Sequence, residues 1–315
     1  MTRLPALALS FSLAASSAAA KDRLEVMLDW FVNPDHGPLI IADELGYFDD
    51  AGLDVELITP SDPNAPPRMV AAGNVDLAVT YQPQLHLNRR DGLPLVRIGT
   101  LVETPLACLV VLAEGPVRDV ADLASRKVGF AVAGVQEMLL SAMLADNGLN
   151  ADSVEKINVG WSISPALMSG QVDGVIGAFR NFELNQMAIE GVEGRCFFPE
   201  QEGVPAYDEL IYVAHGERLD APTLARFVEA TERAAAYIQN DPAGSWEIFA
   251  ATDAELRNEL NERAWNDTWP RFALRPGALE IGRYERFEEF LLAQGAIEET
   301  IDPADIAVDL TGAAR

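Results

Sequence analysis

The strongest restriction on the fold is a strand and helix alternation that runs through the chain twice. Starting at residue 24, short segments rich in β-branched residues exchange with segments of helical period. The first set predicts strands over 24–30, 54–59, 76–81 and 96–101, with helices over 38–47, 68–72 and 85–90. The second predicts strands over 127–132, 154–159 and 173–178, with helices over 136–147, 164–169 and 182–190. Such alternation implies mostly parallel sheets with helices on their faces. Two runs stand outside it, 106–113 and 210–214, and both are continuously apolar, as strands covered on two faces are. Beyond them, 221–295 keep helical period, for example at Leu224, Phe227, Val228, Thr231, Ala235 and Ile238, and give no strand signal.

That order predicts an α/β chain of two lobes joined by two crossing strands, at 105–113 and 209–215, with the helical C-terminal segment packed on the first lobe. Lobe 1 then comprises 21–108 plus 213–315, and lobe 2 comprises 109–212. Two independent domains with a helical appendix would carry the same element order. In the two-lobed form a ligand site lies in the cleft, where strand carboxyl ends, loops and helix N-termini converge.

Charge removes several functions from consideration. The 315 residues include 23 basic and 49 acidic ones, for a net charge of −26. A nucleic-acid binder needs a basic stripe to displace counterions from phosphates, and an anionic membrane surface needs the same sign. No nucleic acid and no direct membrane insertion are therefore expected. Residues 1–20 read as a cleaved signal peptide: Arg3 gives a weakly basic start, 4–15 are apolar, and Ala18-Ala19-Ala20 supplies a small-residue cleavage pattern. The mature chain is expected in the periplasm. Cys108 and Cys196, 88 positions apart, each sit in apolar surroundings and read as small buried hydrophobes rather than a disulfide.

Three patches fall on loops facing the expected cleft. The first is Asp29-Trp30-Phe31-Val32-Asn33-Pro34-Asp35-His36-Gly37-Pro38, where two prolines stiffen a loop carrying Trp30, Asn33 and His36. It suits recognition of a flat polar ligand, and equally a turn with Trp30 in the core and His36 capping a helix. The second, after the third strand, holds Tyr81 and Gln82, an aromatic face beside an amide. The third, Gly177-Ala178-Phe179-Arg180-Asn181-Phe182-Glu183, gathers Phe179, Arg180, Asn181 and Glu183 at a strand-to-helix junction. A carboxylate there can pair with an amino group and a ring nitrogen, while an Asn181 N-cap with Glu183 in the first turn explains the same residues. There is no GxSxG, HExxH, CxxC, P-loop or dinucleotide fingerprint, and the three His are scattered, so neither a metal nor a cofactor is expected.

These patches carry a family resemblance. The stretch LDWFVNPDHGP from Leu28 to Pro38, the GYFDDAGLDVELITP run from Gly46 to Pro60, YQPQLHL from Tyr81 and GAFRNFE from Gly177 resemble ThiY-type solute-binding proteins, within a superfamily related to thiamine pyrimidine synthesis. The resemblance spans about 24–250. It implies a type II periplasmic-binding-protein fold, a monomer that serves the permease of an ABC importer, a small pyrimidine ligand of the formylaminopyrimidine or hydroxymethylpyrimidine type, and no catalysis. It also implies roles: Trp30 and Tyr81 stack on the ring, Glu183 pairs with its nitrogen and amino group, Asn33, His36 and Asn181 bind the side arm, and Arg180 orients Glu183 or closes the lobes. Gln82 and Phe179 belong to the same lining. The superfamily also contains a synthase that builds the pyrimidine from PLP and one of its own histidines, at a position similar to His36. Only Lys21, Lys127 and Lys156 are available for a Schiff base, and none lies near the patches, which weighs against that activity. A sulfonate or a flavin precursor on the same scaffold is the remaining alternative.

Overall fold

The computed structural model describes residues 20–310, so the expected signal segment lies outside the described residues except for Ala20. In chain order the strands are β1 Asp22–Met27, β2 Leu53–Ile58, β3 Leu77–Thr80, β4 Leu95–Val102 and β5 Ala107–Leu112. They continue as β6 Lys127–Phe130, β7 Glu155–Asn158, β8 Gly174–Phe179, β9 Gly194–Phe197 and β10 Leu210–His215. They form two five-stranded sheets, ordered β2-β1-β3-β10-β4 and β7-β6-β8-β5-β9. In each sheet the alternating strands pair in parallel, as the sequence implies: β1 with β2 and β3, and β6 with β7 and β8.

The two apolar runs turn out to be interior members of the sheets. β5 runs antiparallel between β8 and β9, and β10 runs antiparallel between β3 and β4. Each is covered on both faces, which explains why neither alternates. Ala107 and Cys108, expected at the end of the first lobe, already pair with β8, and Leu210 to Tyr212, expected in the second, pair in the first sheet. By sheet membership the chain changes lobes in the short stretches 103–106 and 198–209.

β9 is a strand that the sequence pattern did not announce. Its four residues, Gly-Arg-Cys-Phe, are partly buried at a sheet edge and too short to show a period. Its position overturns the expectation for the cysteines: Cys108 of β5 and Cys196 of β9 form a disulfide, with Cα atoms 5.7 Å apart.

The helical C-terminal segment packs on the first lobe through the helix Ala221–Asn240, whose Phe227 stacks on Phe48 at 5.5 Å. It is anchored by Arg97 of β4, which is 1% exposed. That guanidinium donates to the carbonyls of Pro276 and Ala278 at 2.9 and 2.6 Å and to Thr100 Oγ1 at 2.8 Å. Backbone bonds from Arg97 N to Ile306 O and from Val308 N to Arg97 O extend the sheet past β4, so its edge is covered. Among the described residues, no helix is long and apolar enough to cross a membrane.

Candidate functional site

The first lobe contributes the loop that follows β1. Asn33 caps the turn Pro34–His36, accepting from the Asp35 N–H at 2.8 Å. Its own backbone N–H donates to His36 Nδ1 at 3.3 Å. A ring nitrogen that accepts carries no proton, so the His36 proton sits on Nε2 and points at Asp29 Oδ1, 2.9 Å away. The other Asp29 oxygen accepts from Tyr81 Oη at 2.9 Å. Burial, reinforced by Asp29, pushes the Tyr81 pKa well above the usual phenol value, so Tyr81 stays a donor. Asp29 is thereby fixed from two sides.

The second lobe contributes the end of β8 and the loops around it. Gly177 has φ +85°, and a Cβ there would lie 2.0 Å from Gln136 Nε2, so a glycine lets the Gln136 amide lie against the strand. Gln136 Oε1 accepts from the Ala131 and Val132 N–H groups at 2.7 and 3.1 Å. Glu183 opens the helix Glu183–Ile189 and accepts from the Phe179 N–H at 2.6 Å through Oε2. Burial pushes its pKa up to about 8, the Phe179 bond opposing and the neighbouring Asp35 adding to the rise. Near neutral pH this carboxyl group is mostly protonated and offers both a donor and an acceptor.

Between the lobes lies a cavity. The first lobe lines it with Asp29, Trp30, Asn33, Asp35 and Tyr81, the second with Gln136, Ile163, Phe179, Phe182 and Glu183 beside Val132 and Gly177. Three acidic and four aromatic side chains therefore face it, and no basic one does. Tyr81 meets Phe179 edge to face across the lobes at 6.4 Å, and the Trp30 ring lies 4.1 Å from that of Trp161. Among the described residues, no group of three or more His, Cys, Asp or Glu is disposed to hold a metal ion.

Of the nine residues expected at the site, Trp30, Asn33, Tyr81, Phe179 and Glu183 line the cavity, and four do not. His36 is fully buried behind Asp29, where it serves as an orienting partner and cannot reach the cavity as a reacting histidine. Gln82 accepts from the Asp208 N–H at 2.8 Å and so holds the returning lobe crossing. Arg180 makes no bond to Glu183. It pairs with both oxygens of Glu200 at 2.7 and 3.1 Å and donates to the Leu106 and Ala107 carbonyls, fastening the outgoing crossing. Asn181 caps no helix; its Nδ2 donates to Asp35 Oδ1 and Thr268 Oγ1, each at 2.6 Å, tying the second lobe to the first and to the C-terminal helices. Asn64 makes a second tie, accepting from the Ala133 N–H at 2.9 Å. The lining residues Asp29, Asp35 and Phe182 stood inside the flagged patches without being singled out. Gln136 gave no signal, because only the fold brings it against Gly177.

Three buried acids carry raised pKa values, each mainly through desolvation: Asp35 at about 6, Glu209 at about 7 and Glu183 at about 8. An acid whose folded pKa exceeds its unfolded value binds more protons folded than unfolded, so its contribution is complete below about pH 4 and is lost through 6 to 8. Thermal stability at constant ionic strength is thus expected to fall by several degrees between pH 5 and 8.5, at about 2–4 °C per kcal/mol. Glu183→Gln should shrink that fall. A midpoint that rises with pH over this interval contradicts the assignment.

Comparison with known proteins places the chain. It is 47% identical over 292 residues to a Haemophilus influenzae protein named for thiamine biosynthesis, covering 92% of this chain and 93% of that one. It is 34% identical over 248 residues to the formylaminopyrimidine-binding protein of Halalkalibacterium halodurans, covering 78% and 75%. More distantly, it is 24% identical to the 4-amino-5-hydroxymethyl-2-methylpyrimidine phosphate synthase of Legionella pneumophila, over 81% and 82%. Among solved structures, the alkanesulfonate-binding protein SsuA of Xanthomonas axonopodis superposes with a TM-score of 0.74 at 16% identity, covering 92% of this chain and 99% of that one, which establishes the periplasmic-binding-protein fold. The NMT1/THI5-like family matches residues 33–245, well over half of the chain, and this protein belongs to that family.

Proposed function

We propose that this chain is the exported solute-binding component of an ABC importer, and that it captures an unphosphorylated 4-aminopyrimidine precursor of thiamine between its lobes. One observation carries the reading: an aromatic cavity whose polar edge is acidic and which no basic side chain lines. Trp30, Tyr81 and Phe179 offer ring faces and edges, and Glu183 offers a donor and an acceptor to a ring nitrogen and an amino group. The name of the Halalkalibacterium halodurans relative points to the same ligand class. A sulfonate would meet Asp29, Asp35 and Glu183 with no cation to pair it, and the likeness to SsuA extends to the fold alone. A PLP-dependent synthase needs a phosphate cradle and an accessible histidine; the lining supplies neither. The disulfide supports an oxidising compartment such as the periplasm. Ligand binding across the cleft would favour a closed form for the permease to read, with the protein acting as a monomer.

Mass spectrometry of the solute that co-purifies with the mature protein, paired with calorimetry, tests this. An aminopyrimidine is expected in the protein and to bind in the micromolar range or tighter, with no heat from an alkanesulfonate. Sulfonate binding without pyrimidine binding overturns the assignment.

A further inference from the structure

Four aromatic rings, two from each lobe, meet at the rim of the cavity. Trp30 of the first lobe and Phe182 of the second line it, whereas Phe31 and Trp161 do not and stand on its outer side, 41% and 40% exposed. Trp161 lies against Trp30 with ring centroids 4.1 Å apart, and Phe31 meets Phe182 edge to face at 5.9 Å and Trp161 at 6.4 Å. Each outer ring therefore rests on the inner ring of the opposite lobe. Among the large apolar side chains exposed in the described residues, Phe31 and Trp161 are the two aromatic ones, and they face each other across the lobes. Core packing does not account for them. The turn that carries Trp161 is closed by the Ser162 N–H donating to Val159 O at 3.0 Å, and it holds Gly160 at φ +51°, where a Cβ would meet nothing within 4 Å. Gly160 thus answers to backbone shape rather than crowding, and it lets a tight turn present Trp161 to the other lobe.

We infer that Trp161 and Phe31 form a clasp that sets how long the closed cleft keeps its solute. They are positioning residues, because each acts through a lining ring, Trp161 by backing Trp30 and Phe31 by backing Phe182. The three ring contacts between the lobes exist only while the lobes are together, so they stabilise the closed form and do nothing for an open one. Parting the lobes returns apolar rings to water. The clasp therefore slows release more than it speeds capture. The inference rests on the solute-binding reading above, but it does not depend on the solute being a pyrimidine.

Stopped-flow fluorescence on the intact mature protein, with 4-aminopyrimidines bearing formamidomethyl and hydroxymethyl arms as probes, separates the two rates. Trp161→Ala is expected to release the probes about 5- to 100-fold faster, the range that two lost ring pairs give, with no fall in the association rate. Phe31→Ala should act in the same direction, and Trp161→Phe should bring release back to within about threefold of the wild type. Both outer side chains are exposed, so truncating them leaves the core intact. Release from Trp161→Ala within about twofold of the wild type overturns the inference, as does a loss of affinity carried by association alone. Circular dichroism gives a readout that needs no ligand. Two indoles this close couple, and the far-ultraviolet couplet they produce is expected to vanish in Trp161→Phe, which keeps an aromatic ring in place. Identical spectra for wild type and Trp161→Phe, with and without the probes, overturn the inference. If neither probe binds, the pyrimidine reading fails by itself. The clasp is then decided by the couplet and by small-angle scattering, in which Trp161→Ala is expected to show a larger radius of gyration than the wild type, and an equal radius overturns it.

Discussion

Glu183→Ala is expected to weaken binding of an aminopyrimidine by about 10- to 100-fold, the loss of a charge-assisted hydrogen bond of about 1.5–3 kcal/mol. The more telling result is the pH dependence. The bound state shares one proton between Glu183 and the ring nitrogen. Below about pH 8 the free protein already carries it on Glu183, so binding takes none from solution. Above that value the carboxylate must be reprotonated on binding, and affinity falls about tenfold per pH unit. On the acid side the fall is set by the ligand's own ring nitrogen, because a protonated ring beside an already protonated Glu183 brings a second proton, and one of the two must be lost to solvent on binding. Glu183→Gln keeps a donor that does not titrate, and its oxygen can still accept from the Phe179 N–H. The variant should therefore bind with an affinity that is flat from pH 8 to 10, while the wild type declines. An equal alkaline decline in both proteins places the titrating group elsewhere and removes Glu183 from the ring edge.

That experiment depends on a residue the sequence did reveal, and the contrast with Arg180 and Asn181 shows where such reading stops. All three stand in one seven-residue patch at a strand-to-helix junction. Position in the patch predicts proximity to the cleft, but a side chain of Arg180's length can turn away, and it does, toward Glu200 and the 106–107 carbonyls. Those partners come from remote parts of the chain, so no local pattern could announce them. The same holds for Asn181, whose partner Thr268 is 87 residues away. Parallel pairing and the helical tail were legible because periods of two and 3.6 follow from burial of one face. What escaped is whatever depends on strands meeting out of sequence order: the place of β5 and β10 inside the sheets, the edge strand β9, and Gln136 against Gly177. Asp29 and Asp35 escaped for another reason. Acidic residues are so numerous, 49 in the chain, that two more in a loop carry no signal until the fold buries them.

Removing the Cys108–Cys196 bond is expected to be the most destabilising of the changes considered. The bond closes a loop of 88 residues, and chain entropy alone assigns about 4–5 kcal/mol to a loop of that order, with measured losses for native disulfides of about 2–5 kcal/mol. At about 2–4 °C per kcal/mol, Cys108→Ala/Cys196→Ala should melt roughly 5–15 °C below the oxidised wild type. Reduction of the wild type should give a similar fall without any change of side chain, which separates the cross-link from the cavity left by two truncated thiols. The loss should be local before it is global. The bond fastens β9, the edge strand of the second sheet, to β5 beside it, so amide exchange should accelerate first in Gly194–Phe197 and in the crossing that follows. Neither cysteine lines the cavity, so affinity measured well below the melting transition should change by less than about threefold. Two outcomes would count against the pairing: an unchanged midpoint on reduction, or free thiols titrated in the folded, oxidised protein. If the fall is observed, the fully stable form is the one reached in an oxidising compartment, and protein held reduced in the cytosol is the weaker of the two.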